Sequence, residues 1–248
     1  MISVVIPALD EEKYIGTCLQ SLEKQDFTGD YEVIVVDNNS GDGTAAIARG
    51  LGAKVVGCEG RGGVGQVRQA GADAAQGDII VQADADTVYP PTWLTTIANK
   101  FAAHPEAVAL SGRYFYTERP WWAGFEYSFR LGINRSTRVL LGRPLVISGA
   151  TFAFRRQAFK SLDGYHGLTF SADQYGISSR LRKAGKILYD KDLIVFTSPR
   201  RVAKKSVAVL LVNVVTNLGR WNIHLCQQCL EAAKKPKGKK ETNGGILQ

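Results

Sequence analysis

Along the first 110 residues, short runs of apolar residues alternate with longer stretches whose apolar positions recur at helical spacing. The apolar runs are ISVVIP, YEVIVVD, AKVVGC and DIIVQAD, and the clearest helical stretches are EEKYIGTCLQSLEKQ, GTAAIARGLG and GVGQVRQAGADAAQ. This alternation predicts βαβ units and a mostly parallel, Rossmann-like sheet. Because the strand runs are continuously apolar, we expect helices on both faces of an α/β fold.

After about residue 110 the pattern changes to mixed α+β material that we expect against the sheet edge. The run WWAGFEYSFRLGINRSTRVLL predicts an aromatic, amphipathic helix, and SADQYGISSRLRKAG predicts a further helix. Strands are predicted within LVISGATFAFRR and KILYDKDLIVF. We therefore expect one domain over residues 1–200, with halves at 1–110 and 111–200, then an amphipathic helical segment over 201–233 and a disordered basic tail over 234–248.

The charge of the chain is concentrated at its end. The net charge is +8, and residues 200–248 hold ten Lys and Arg against two Glu, so that residues 1–199 are balanced. A folded surface that grips nucleic acid would spread its basic residues over the domain, so we expect no nucleic-acid partner. Five lysines within 234–240 indicate instead that the tail meets something anionic.

The last segment predicts a peripheral membrane contact. Its apolar residues recur at helical spacing: Val207, Leu211, Val214, Leu218, Trp221 and Leu225. Beside the lysines, such a helix fits the anionic inner face of a cell membrane, but a helix docked on the core explains the stripe equally well. The apolar run of this predicted helix falls short of the ~20 residues that a spanning helix needs, and we expect no signal peptide.

Four cysteines without framework spacing suit a cytoplasmic location, and the Cys226/Cys229 pair has no second pair to complete a zinc site.

Polar signatures follow three of the four apolar runs. They begin at Pro7, at Asp37 and at Asp84. In open parallel sheets ligands bind beyond the carboxyl ends of the strands, so these segments should meet in one cleft. Asp84 and Asp86 are separated by one residue and on an extended chain would point to the same side, where a divalent cation, Mg²⁺ or Mn²⁺, would relieve their repulsion. The alternative is that the two aspartates only open a turn before Pro90 and Pro91.

A glycine-rich loop supports a competing function. Residues 60–65, GRGGVG, satisfy GxGxxG after a predicted strand, and Asp84 follows at about the distance of a dinucleotide-binding acid. An NAD(P)-dependent oxidoreductase is therefore one alternative. It leaves Asp37 and Asp86 without a role, and the motif stands in the third βα unit rather than the first. A glycine-rich loop can cradle any phosphate, so we interpret it as a phosphate-side loop, with Arg68 adding positive charge one turn later.

Six segments in order resemble the family 2 glycosyltransferases of GT-A fold. They are VVIPALDEE, VVDNNSGDGT, GVGQVRQAG, IIVQADADT, SGATFAFRR and SADQYGISSRLRKAG, which cover about residues 1–200. The resemblance implies that residues 1–110 bind a nucleotide-sugar and 111–200 face the acceptor. It also implies roles by position: donor binding by Pro7, Glu11, Asp37, Arg68 and Asp84, a diphosphate-bound metal on Asp86, and a catalytic base at Asp173. His224 matches a late histidine that ligates the metal in some GT-A enzymes, although a lone histidine on a helix is more often structural.

Three departures from the family pattern qualify these roles. Asp10 replaces the usual Asn before Glu11, and Gln69 replaces the usual Asn after Arg68. The base motif, usually Glu-Asp, is Ala172-Asp173 here. The alternative for Asp173 is a helix N-terminal acid, favoured by Ser171 and the helix dipole.

The expected function is transfer of a sugar from a nucleotide diphosphate sugar, with a UDP-sugar favoured, to the hydroxyl of a lipid-linked, polysaccharide or glycolipid acceptor. A metal-assisted single displacement would invert the anomeric centre, since the sequence identifies no second carboxylate as nucleophile. Arg200 and Arg201 reach the diphosphate in this interpretation, or simply belong to the basic end. A non-catalytic membrane adaptor is a second alternative, but it leaves the acids at the strand ends unexplained.

Overall fold

The structure is a computed structural model that describes residues 1–58, 63–118, 120–141, 148–168 and 173–200. The described residues belong to one compact unit, Met1–Lys204. The predicted C-terminal helix, the basic tail and His224 lie outside the described residues.

The first half of the unit alternates strands and helices as the sequence pattern predicts. Its elements are β1 (Ile2–Ala8), α1 (Ile15–Glu23), β2 (Tyr31–Asp37), α2 (Thr44–Gly50), β3 (Lys54–Gly57), α3 (Val64–Ala74) and β4 (Ile79–Gln82). Strand β1 pairs in parallel with β2 on one side and with β4 on the other, and β2 pairs in parallel with β3.

The second half adds helices and the remaining strands. Its elements are β5 (Thr87–Val88), α4 (Trp93–Ala103), β6 (Ala107–Tyr116), α5 (Ala123–Leu141), a 3-10 turn (Gly149–Thr151), β7 (Phe152–Arg155), α6 (Arg156–Ser161), α7 (Asp173–Leu181) and β8 (Lys186–Thr197). The predicted aromatic helix is confirmed as α5. Within the described residues, no helix is long and apolar enough to span a membrane.

The strands form one sheet in the order β3-β2-β1-β4-β7-β6-β8-β5. Strand β7 runs antiparallel to both β4 and β6, whereas β6 and β8 are parallel. The α/β sheet flanked by helices is confirmed, and its second half is mixed. The periodicity of AVALSGRYFY did not reveal β6, the ten-residue strand that joins the two halves through β7.

Helices cover both faces of the sheet, because adjacent residues of the central strands enter different cores. Val4 of β1 packs in the cluster that contains Leu19 of α1 and Leu94 of α4. Val5 packs on the other face with Val67 of α3. Gly71 allows α3 to approach the sheet closely, since a Cβ atom there would stand 2.2 Å from Val5 Cγ1. This packing holds the carboxyl ends of β1, β2 and β4 side by side.

Candidate active site

Two loops at the carboxyl edge of the sheet are held together by hydrogen bonds between backbone and side chains. The Gly41 amide donates to Asp10 Oδ1 at 2.8 Å, and the Gly43 amide donates to Glu12 Oε2 at 3.1 Å. In the opposite direction, the Glu11 amide donates to Thr44 Oγ1 at 2.8 Å. The loop after β1 and the loop after β2 therefore form one fixed wall of the site.

The backbone explains why Asp10 can replace the Asn expected from the family pattern. Asp10 has φ of 54°, in the left-handed region. Asp and Asn both tolerate this conformation, because their short polar side chains hydrogen-bond locally. Either residue also presents an oxygen to the Gly41 amide, so the substitution preserves the shape of the loop.

Pro7 and Asp37 stand at the ends of the two neighbouring strands. Pairing of β1 with β4 ends at Val5, so Pro7 lies where the strand has β2 alone as its partner and the missing N–H is tolerated. Asp37 is the last residue of β2. Its Oδ2 accepts a long bond from the Ser40 amide at 3.4 Å, whereas its Oδ1 is buried without a hydrogen-bond partner in the described part of the chain. A buried acceptor of this kind calls for an N–H or O–H donor from water or from a ligand.

The expected geometry of the Asp84/Asp86 pair is wrong. Strand β4 ends at Gln82, and the two aspartates lie in a turn that the Thr87 amide closes on the Asp84 carbonyl at 3.2 Å. They therefore do not stand on an extended chain, and the turn interpretation describes the local backbone correctly. Each carboxylate has a cation of its own: Asp84 Oδ1 lies 3.2 Å from Arg68 Nη2, and Asp86 Oδ2 lies 2.9 Å from Arg200 Nε.

Arg200 joins the wall of loops to the aspartate turn. Its Nη2 donates to both carboxylate oxygens of Glu11, its Nε donates to Asp86, and its guanidinium lies 4.3 Å from the centre of the Tyr14 ring. Burial alone would lower the pKa of Arg200, but the hydrogen bond to Glu11 and the charges of Glu11 and Asp86 outweigh it and raise the pKa. Glu11 is 1% exposed and the Arg200 side chain is 28% exposed, so the carboxylate is withdrawn from water whereas the guanidinium remains partly solvated.

Sequence reasoning placed Glu11 and Asp86 in the site but did not pair them with Arg200. The chain separation of 189 residues between Glu11 and Arg200 hides the contact. The available signal was the TSPRR segment directly after the last predicted strand, whose arginines were expected either at the diphosphate or in the basic end. The structure places Arg200 in the site; Arg201 lies outside the described residues.

A second polar cluster links α3, the end of β4 and the start of α7. Arg68 is 6% exposed and packs so closely to Gly149 that a Cβ there would stand 2.8 Å from Arg68 Nη2. Gln174 Nε2 donates to Gln82 Oε1 at 3.0 Å. Asp173 is the first residue of α7, and its side chain lies outside the described residues. The bond from Gln174 to Gln82 nevertheless holds the N-terminus of α7 close to the end of β4.

A cleft of about 310 Å³ opens beside Asp86 and Arg200. Its other lining residues include Tyr14 and Cys18 of the α1 region and Thr117 after β6. The Cys18 thiol donates to the Asp84 carbonyl at 3.5 Å. Burial, with the charges of Asp84 and Asp86, raises the pKa of this thiol far above its usual range. Cys18 is therefore a neutral part of the wall rather than a nucleophile.

The donors in the aspartate turn suit a hard divalent cation. Within the described ranges, no group of three or more His, Cys, Asp or Glu residues could enclose a metal ion. Mg²⁺ and Mn²⁺ sites that share the ion with substrate phosphates need only one or two protein carboxylates. Asp86, which lines the cleft, fits that requirement. The proposed histidine ligand, His224, falls beyond the part of the chain that the structure describes.

Comparison with known proteins assigns the chain to a protein family. The family model for Glycosyl transferase family 2 matches residues 3–163, and the chain belongs to this family. Glycosyltransferase GlyG of Streptococcus pneumoniae is 27% identical over 123 residues, which are 48% of this chain and 40% of GlyG. The chain thus covers less than half the length of that relative.

Two solved structures share the fold. The mannosyltransferase PcManGT of Pyrobaculum calidifontis, in complex with GDP-Man and Mn²⁺, has a TM-score of 0.67 at 21% identity, with 96% of this chain and 65% of that chain covered. Glucosyl-3-phosphoglycerate synthase of Mycobacterium tuberculosis, in complex with Mn²⁺ and UDP-Glc, has a TM-score of 0.60 at 24% identity, with 88% and 77% covered. Family membership favours the transferase over the oxidoreductase suggested by residues 60–65, of which 60–62 lie outside the described residues.

Proposed function

We propose that this chain transfers a sugar from a nucleotide diphosphate sugar to an acceptor hydroxyl, with inversion of the anomeric centre. The observation that carries the proposal is the meeting of acids and arginines from five segments at one edge of the sheet: Glu11, Asp37, Arg68, the Asp84/Asp86 turn and Arg200. Membership of glycosyl transferase family 2 supports the reaction class. A UDP-sugar is the donor we expect first.

The donor would lie along the carboxyl edge from β2 to β4. The buried Oδ1 of Asp37 accepts a hydrogen bond from the base or ribose. Arg68 fixes Asp84 for contact with the ribose through the 3.2 Å ion pair. Glu11 acts through Arg200, which it holds beside Asp86, and the guanidinium then faces the diphosphate as a second source of positive charge.

Asp86 would hold Mg²⁺ or Mn²⁺, with His224 as a further proposed ligand. When bound, the ion neutralises charge that develops on the departing nucleoside diphosphate. The Mn²⁺ in both neighbouring structures supports this assignment. Because Arg200 Nε already bonds Asp86 Oδ2 at 2.9 Å, Asp86 must share its carboxylate between the guanidinium and the ion.

Asp173 would remove the proton from the attacking hydroxyl. A single carboxylate within reach is sufficient for this step, and the bond from Gln174 to Gln82, which anchors the start of α7 beside β4, supports the assignment. The acceptor we propose is a lipid-linked, polysaccharide or glycolipid hydroxyl. Binding of residues 201–248 to the anionic cytoplasmic face of the membrane would bring the enzyme to such an acceptor.

A thermal-shift scan tests the proposal. UDP, GDP and NAD are compared, each with Mn²⁺, Mg²⁺ or a chelator, on the wild type and on Asp37→Asn. We expect one nucleoside diphosphate to raise the melting temperature only with metal, since a ligand at about 100 times its Kd adds about 2.7 kcal/mol to the free energy of unfolding. Asp37→Asn should weaken that protection.

The scan also separates the alternatives. Protection by NAD without protection by any nucleoside diphosphate would instead establish a dinucleotide-binding protein. If no nucleotide protects the chain with or without metal, the adaptor interpretation replaces the transferase. A nucleotide-sugar that protects is then incubated with candidate acceptors to measure transfer.

A further inference from the structure

Helix α5 carries an exposed apolar face that the proposed donor site does not use. Among the described residues, the largest exposures of apolar side chains are at Trp121, which is 89% exposed, and Val139, which is 81% exposed. Phe125 is 57% exposed and Leu131 is 44% exposed. Trp121 stands in the turn before the helix, and the other three lie on it, so these four side chains belong to one segment of the chain.

The exposed side chains share one side of the helix. At 100° per residue, Phe125 lies about 40° to one side of Val139 and Leu131 about 80° to the other, and Trp121 precedes the first turn of the helix. The opposite side faces the protein, where Trp122 and Asn134 are both buried. Phe125 and Phe129 stack with their ring centres 6.3 Å apart. The helix is therefore amphipathic, and its unused apolar arc points away from the sheet.

Charge decides what kind of partner this face suits. Residues 121–143 contain four arginines, at 130, 135, 138 and 143, and one acid, Glu126. Arg135 is exposed and lies on the same arc as Val139. Glu126 Oε1 accepts a hydrogen bond from the Tyr114 hydroxyl at 3.3 Å on the inward side. The outward face thus combines aromatic and aliphatic groups with positive charge.

An anionic lipid surface matches that combination. Tryptophan and phenylalanine enter the boundary between headgroups and acyl chains, and arginines beside them meet lipid phosphates. The helix has 19 residues and does not qualify as a membrane span, so it would lie in the plane of the interface. We propose that the outward face of α5, formed by Trp121, Phe125, Leu131, Arg135 and Val139, docks the enzyme on an anionic membrane. This surface consists of residues other than those of the predicted C-terminal helix and tail, and docking does not require the proposed transfer reaction.

Vesicle sedimentation tests the surface with the full chain. Binding to phosphatidylcholine vesicles, with and without phosphatidylglycerol, is measured for the wild type and for Trp121→Ser/Phe125→Ser. The control is Leu51→Ser, which removes an exposed apolar side chain at the end of α2. We expect binding to vesicles with phosphatidylglycerol, weakened about tenfold or more in the double variant and unchanged in the control. Arg135→Gln should weaken binding less, and added salt should weaken binding of every form.

Tryptophan quenching locates the contact. In a Trp221→Phe background, the remaining tryptophans are Trp93, Trp121 and Trp122, of which Trp93 and Trp122 are buried. Brominated phosphatidylcholine mixed with phosphatidylglycerol should quench the fluorescence, and Trp121→Phe should abolish the quenching. Melting curves confirm that each variant is folded.

Several outcomes would overturn the proposal. One is vesicle binding that disappears without residues 234–248 but is unchanged in Trp121→Ser/Phe125→Ser. Another is quenching that survives Trp121→Phe. A third is a dimer in solution that the double variant dissociates, in the absence of vesicle binding, which would assign the face to a second copy of the chain. None of these results depends on transferase activity.

Discussion

Replacement of Arg200 by glutamine tests the ion-pair arrangement at the centre of the site. Glu11 is 1% exposed, and the side chain of Asp86 is 5% exposed, so both carboxylates rely on the guanidinium for charge compensation. Removal of one partner of a buried ion pair costs about 3–5 kcal/mol of the free energy of unfolding. The Arg200 side chain is 28% exposed, which lets water replace part of the interaction, and we therefore expect a loss of about 2–3 kcal/mol.

Urea denaturation and thermal melts of the metal-free protein measure this loss. For a domain of this size each kcal/mol corresponds to about 2–4 °C, so the melting temperature should fall by about 4–12 °C. The matched control is Arg182→Gln, which removes an exposed guanidinium and should change stability by about 0.5 kcal/mol or less. Comparison with Glu11→Gln and with the double variant Glu11→Gln/Arg200→Gln gives the coupling energy, expected to be about 1 kcal/mol or more.

The reasoning is refuted if Arg200→Gln is as stable as Arg182→Gln, or if the coupling energy between residues 11 and 200 is close to zero. Asp86→Ala provides a further check. Repulsion between Asp84 and Asp86, argued from sequence, predicts that this variant keeps or gains stability. The structure predicts a loss of about 1 kcal/mol instead, because Asp86 is bonded to Arg200.

Three further predictions concern catalysis, thiol reactivity and pH. Asp173→Asn should keep donor affinity, measured by thermal shift, while steady-state transfer falls about 100-fold or more; equal loss of donor binding would make Asp173 structural. Ellman's reagent should modify the half-buried Cys58 before Cys18 in the native protein, since burial raises the pKa of the Cys18 thiol; equal rates would contradict this assignment. Burial alone would raise the pKa of Asp190, but the hydrogen bond from the Asp192 amide and the contact with Lys100 outweigh burial and lower the pKa. The charged carboxylate therefore stabilises the fold at pH values above its unfolded pKa. That stabilisation is lost as the pH falls through the folded pKa. Lys100→Met should cost about 0.5–1 kcal/mol at neutral pH in urea titrations, and the difference from wild type should vanish in acid; a difference that persists there would be due to packing.

Local pattern determined much of the first half of this protein. Apolar runs and glycine or proline boundaries gave β1 to β4 and the helices between them, because each element there is short, sequential and paired through βαβ connections. Strand β6 escaped detection, since it is apolar over its first residues and turns aromatic and basic towards Tyr116 without a strict period of two. Its partners β7 and β8 come later in the chain, and the antiparallel insertion of β7 depends on tertiary pairing.

The candidate site was likewise predicted only in part from the sequence. Sequence alone predicted a site at Glu11, Asp37 and the Asp84/Asp86 pair, because strand ends converge in an open sheet and these residues match positions of the family pattern. Sequence could not show that the aspartates occupy a turn and take separate arginine partners, since this depends on where Arg68 of α3 and Arg200 after β8 arrive in space. Nor could it show which side of the aromatic helix faces outward. Periodicity gives a helix its two faces, and only the packing of Trp122 and Asn134 against the protein leaves Trp121 and Val139 in solvent.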